Sequence, residues 1–68
     1  MTEIKITTEY IRLDSALKLS SAVSTGGEAK MVIQQGDVMV NNAVCTQRGK
    51  KLHTGDTILY NNKSFTIV

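Results

Sequence analysis

Gly26-Gly27-Glu28-Ala29-Lys30 and Arg48-Gly49-Lys50-Lys51 are the two stretches whose residue types and spacing suit a chemical task. The glycine pair stands where an amphipathic segment begins. A helix start presents unpaired N–H groups and a partial positive charge. Glycine lets a ligand or another backbone come close, so a phosphate suits the site, and Lys30 adds a full positive charge. The second stretch gathers three cations in four residues. Arg48 offers a planar fork that matches phosphate oxygens. Lys50 and Lys51 point to opposite sides if the segment is extended. Lys18 and Lys30 flank the glycine corner. Asn41 ends a strand-like Val38-Met39-Val40 run, and its amide can both donate and accept toward a ribose or base edge. Each feature also has a plainer reading: a tight corner between helices, solvated lysines, an asparagine turn. Read together, they describe a grip on a nucleic-acid backbone.

Other reactive side chains assemble into nothing comparable. Cys45 and His53 are the only residues of their types, and their spacing matches no zinc pattern. In a strand, Cys45 reads as a small apolar filler. Ser64, His53 and Asp56 can be drawn as a triad, but nothing around them supports it. The expectation is a protein without catalysis, cofactor or metal.

Size and charge set the frame. Sixty-eight residues are one domain at most, spanning 1–68, with a thin core and little room for a deep cavity. The formal charge of +2 is mild, but it is unevenly spread: residues 1–29 carry −1 and residues 30–68 carry +3. A local patch steers a polyanion more than net charge does. A single cysteine allows no intrachain disulfide, and no apolar run has leader or membrane-spanning character. A cytoplasmic protein is expected, without membrane contact. Tyr10, Tyr60 and Phe65 are too widely spaced to read as a stacking platform and are assigned to core or rim packing.

The elements that must position these residues follow from periodicity. Residues 3–7 alternate as a strand, and 8–12 are transitional. A helix fits residues 13–20, with Leu13, Ala16 and Leu17 on one face. A second fits 27–35, with Ala29, Val32 and Ile33 inward. Thr25 or Gly26 is its cap, and Gly36 a left-handed stop. Strands then fall at 38–40, 44–47, 57–60 and 64–68. Asn41-Asn42, Thr54-Gly55-Asp56 and Asn61-Asn62 make the turns between them. The sum is an α+β fold, two short helices packed on a small, mostly antiparallel sheet. No coiled-coil seam appears, and a monomer is expected.

These residues resemble the RNA-binding domain named after small-subunit ribosomal protein S-four, also called the alpha-L motif. The resemblance spans about residues 11–58. It rests on Leu13-x-x-x-Leu17-Lys18, Gly26-Gly27-Glu28-Ala29-Lys30, Ile33-x-x-Gly36-x-Val38-x-Val40-Asn41 and Arg48-Gly49-Lys50-Lys51-Leu52-x-x-Gly55-Asp56. The sequence looks most like the small stand-alone bacterial members. Three positions depart from the family pattern. Gly27 and Glu28 stand where relatives often carry serine and arginine, which removes one cation and adds an anion. Asn42 replaces a turn glycine. The resemblance implies an adaptor for structured RNA, ribosomal or transfer RNA, with ribosomal proteins as further partners. The RNA-facing residues are then Lys18, Gly26, Gly27, Lys30, Asn41, Arg48, Lys50 and Lys51. A rival reading is a protein-interaction module that offers the closing strand, at Phe65 to Val68, as an unpaired sheet edge.

Overall fold

Apolar spacing sorts the chain into two layers. The computed structural model describes residues 2–68. Their order is β1 (Thr2–Ile4), β2 (Ile11–Arg12), α1 (Leu13–Leu19), α2 (Gly26–Gln34), β3 (Val38–Val40), β4 (Ala43–Val44), β5 (Lys51–Leu52), β6 (Thr57–Tyr60) and β7 (Lys63–Ile67). Period-two alternation puts Val38, Val40, Ile58, Phe65 and Ile67 on one face of the sheet, all buried. The three-four spacing puts Leu13, Ala16 and Leu17 of α1 and Ala29, Val32 and Ile33 of α2 against that face. Ile4, Val23 and Leu52 complete the core.

The main sheet has the order β1-β7-β6-β3-β4, and β2 with β5 makes a separate two-stranded ribbon. The pairings are antiparallel except β1 beside β7. The fold is therefore the expected α+β arrangement. The turns follow their asparagines: φ is 50° at Asn41, 69° at Asn42, 53° at Asn61 and 62° at Asn62. Those are the left-handed values of tight hairpins with right-twisted strands. Gly36 has φ 83° and closes α2, its N–H donating to Ile33 O while Asp37 N–H donates to Val32 O. This is a Schellman stop. Ser21 does the same for α1 at φ 62°, with Ser21 N–H donating to Lys18 O and Ala22 N–H to Leu17 O.

Four expectations change. The closing strand is not an edge. β7 lies between β6 and β1, and Val68 N–H donates to Ile4 O while Ile6 N–H donates to Val68 O. The N-terminal strand returns parallel to it and covers the groups that the rival reading needed. The 44–47 strand shortens to Ala43–Val44 and 3–7 to Thr2–Ile4. Residues 8–12, read as transitional, contain β2.

Candidate nucleic-acid interface

The basic loop is fixed by its own backbone to the start of α1. Arg12 takes the N-cap position of that helix, but its side chain makes no capping bond. The orphan amides are satisfied by the loop instead: Leu13 N–H donates to Lys50 O at 2.9 Å and Asp14 N–H to Arg48 O at 3.1 Å. Carbonyl dipoles thus meet the positive end of the helix. A turn from Gln47 to Lys50 holds the loop's shape. On its far side β5 pairs with β2, Arg12 opposite Lys51 and Ile11 opposite Leu52. The backbone is held while the side chains of Arg48, Lys50 and Lys51 stay exposed. Among the described residues none of the three cations is ion-paired.

Arg12 joins this cluster, although the sequence alone does not single it out. Its guanidinium lies beside Gly49, where a Cβ would stand 3.7 Å from Nη2, and it pairs with Asp14 Oδ2 at 3.2 Å. The pair is exposed and adds little stability. The readable signal is an arginine directly ahead of a predicted helix. What brings it to the loop is the β2–β5 pairing, which two-residue strands do not announce.

The glycine corner is a separate group. Thr25 caps α2, its Oγ1 accepting Glu28 N–H at 3.1 Å, and the Glu28 carboxylate reaches back to accept Ser24 N–H at 2.7 Å. The helix start therefore already holds one anion of its own. Among the described residues the amides of Gly26 and Gly27 have no protein partner. Neither glycine is required by packing: a Cβ at Gly26 would meet nothing within 4 Å, and one at Gly27 only Thr25 Oγ1 at 3.9 Å. Neither has a left-handed φ. The tight-corner explanation thus finds no steric support. Lys30 is exposed one turn along α2, on the same face as the glycines. Lys18 is exposed in the last turn of α1, just before the connection to Gly26. A seven-residue helix is about 10 Å long. The loop cluster at one end of α1 and the glycine cluster beyond its other end are therefore two separate surfaces.

Asn41 belongs to the scaffold. Its Oδ1 accepts Thr57 N–H at 3.0 Å and Thr57 Oγ1–H at 3.2 Å, and its Nδ2 donates to Asp56 Oδ1 at 3.1 Å. One amide proton is left over for any ligand. Asp56 Oδ2 accepts His53 N–H at 2.8 Å. That bond, then the Asn41 amide, hold the Asp56 carboxyl below its ordinary value, with the charges of His53 and Lys50 helping and burial opposing.

The drawn triad is not assembled. Ser64 lies opposite Leu59, three residues along the strand from Asp56, roughly 10 Å away. Asp56 binds the His53 backbone at 2.8 Å, with the ring nitrogen further off at 4.0 Å. Cys45 is half-buried against the core. Among the described residues no three His, Cys, Asp or Glu side chains group as metal ligands. No helix of the described residues is long and apolar enough to cross a membrane.

Comparison with known proteins agrees with this fold. The chain is 40% identical over 55 residues to the probable ribosome maturation protein RlbA of Bacillus subtilis (strain 168), an alignment covering 81% of this chain and 78% of the relative. It superposes with a TM-score of 0.77 on the solution structure of YbcJ from E. coli, described as having an alpha-L motif involved in RNA-binding. That match has 29% identity and covers all of this chain and 87% of the other. A family model for the S4 domain matches residues 4–68. Fold, motifs and relatives coincide, and the chain belongs to the S4 domain family of RNA-binding alpha-L proteins.

Proposed function

We propose that this protein is a non-catalytic RNA-binding factor that holds structured ribosomal RNA by its phosphates during ribosome maturation. One observation carries the reading. The carbonyls of Arg48 and Lys50 cap α1, so three cations project from a loop whose backbone is already ordered. Little backbone entropy is left to lose when phosphates bind. Lys18, Lys30 and the Gly26-Gly27 amides supply the second contact, beyond the other end of α1. The kinship with a probable ribosome maturation protein supports the setting.

The test is binding to ribosomal particles and to free structured RNA across a salt series. With about five cationic contacts the log–log slope is expected at about −3.5 to −4.5, from roughly 0.7–0.9 per contact. Binding that ignores salt would overturn the phosphate grip.

Glu28 tempers the glycine corner, and this gives a second expectation. Glu28→Gln keeps an oxygen for Ser24 N–H but removes the charge. RNA affinity should rise roughly two- to fivefold, the scale of one charge near a helix start. Thermal stability should fall slightly, because the carboxylate favours the dipole. The same titration and a melting curve read both effects. Unchanged affinity would mean that phosphate does not approach this corner.

A further inference from the structure

The outward face of the β2–β5 ribbon is more than a charge patch. Ile11 and Leu52 turn inward, half-buried and buried respectively. Alternation then places Arg12 and Lys51 outward, side by side. One step along, Tyr10 and His53 stand next to each other, with ring centroids 6.3 Å apart and planes tilted by 50°. Two cations and two rings thus share one exposed surface. Tyr10 is 39% exposed and lies outside the core cluster, unlike Tyr60, which packs against it. Of the core or rim packing read for Tyr10 from sequence, the core part therefore does not hold. Its backbone is set by Thr8, whose hydroxyl donates to Tyr10 O at 2.8 Å. Lys51 Nζ lies 4.8 Å from the centroid of the Tyr10 ring.

We propose that Tyr10, beside His53, is a stacking surface for an unpaired nucleobase whose flanking phosphates are held by Arg12 and Lys51. This rests on the RNA-binding reading and adds a base contact to it. A clamp for phosphates alone has no use for exposed rings, and the core does not need them. An exposed cation–π contact is weak, so Lys51 leaves the ring at small cost when a phosphate draws it away. A base then takes the uncovered face, where stacking tolerates any base because each has a π-face. The surface favours RNA with a looped-out or bulged nucleotide over a continuous duplex.

Two probes separate the contributions: an RNA hairpin with a loop of unpaired adenosines, and linear polyphosphate, which has the anions without the bases. Tyr10→Leu and Tyr10→Phe are compared with the parent protein, and melting curves show that both fold. Tyr10→Leu is expected to bind the hairpin about tenfold more weakly, the lower range of one base–aromatic stack, and polyphosphate equally well. Tyr10→Phe keeps both affinities. The hairpin should also quench tyrosine emission in the parent but not in Tyr10→Leu, where Tyr60 alone emits. Equal loss on both probes would overturn the proposal and leave Tyr10 as a support for Lys51. Undiminished hairpin binding by Tyr10→Leu would overturn it too. If neither probe binds the parent in a salt-sensitive way, the phosphate reading itself falls, and this proposal with it.

Discussion

Changing Arg48 and Lys51 together to glutamate is expected to weaken binding to structured RNA on the order of a hundredfold at moderate salt. Two charge-assisted bonds to phosphate disappear, each worth about 1.5 kcal/mol at the low end, and the new carboxylates face phosphate. The log–log salt slope should flatten by about 1.4–1.8, since each phosphate no longer neutralised removes roughly 0.7–0.9. The fold should survive. Arg48 supports α1 through its carbonyl, and Lys51 pairs with Arg12 through the strand backbone, so neither side chain is needed for those bonds. Within the protein, only the stacking of the Lys51 ammonium on the Tyr10 ring is given up, and that is a surface interaction. A melting temperature within a few degrees of the parent, with binding weakened by about a hundredfold, is the expected pair of results. Retained affinity with the parent's salt slope would show that RNA is held elsewhere, and the glycine corner with Lys18 and Lys30 would be the next place to look.

What the sequence revealed depended on how local the cause was. Both asparagine turns and the Gly36 stop were legible because one residue type at one position settles the backbone there. Both helices were legible because three apolar residues at helical spacing recur in each. The ends of α1 and α2 fell within one residue of the expected bounds. The β2–β5 ribbon was not legible. Two-residue strands carry no period, and Ile11 pairs with Leu52 across most of the chain. That one pairing decides which cations gather, and it is why Arg12, Tyr10 and His53 were not grouped with Lys51 in advance. The misplaced sheet edge has the same origin. The last strand looks unpaired until the first is known to return beside it in parallel. Residue composition marked the basic loop as a charge cluster, but its hold on α1 runs through backbone carbonyls, which no side-chain pattern records.

Asp56 should be the most consequential polar residue for stability, and even its isosteric replacement should show this. Its two oxygens both face donors: Oδ2 takes His53 N–H, and Oδ1 takes Asn41 Nδ2–H. Asn41 cannot turn its amide around, because its own oxygen already accepts both the N–H and the hydroxyl of Thr57. In Asp56→Asn one orientation sets an NH2 group against His53 N–H and the other sets it against Asn41. A donor is left facing a donor either way. Both bonds are solvent-exposed, so the cost should be about 0.5–1.5 kcal/mol, out of a total of roughly 3–10 kcal/mol for a chain of this length. A fall in melting temperature of roughly 3–10 °C is expected. Protonation imposes the same conflict, which is why the Asp56 carboxyl titrates below its ordinary value of 3.8. A carboxyl with a lowered folded pKa contributes stability that is fully present above its unfolded value and is lost as pH falls through the folded one. The parent should therefore lose part of its stability below about pH 3.8, and Asp56→Asn should lack that part of the acid limb at the outset. Asn41→Ala should cost less when Asp56 is already asparagine than in the parent, because the two act as one network. Denaturant melts of the four proteins at pH 7 and pH 3 measure all of this. Additive costs, or an acid limb unchanged in Asp56→Asn, would mean that the turn at residues 53–56 is held by its backbone alone. RNA affinity of the folded Asp56→Asn protein at neutral pH should be no weaker than the parent's, since the removed charge stood near Lys50 and opposed phosphate.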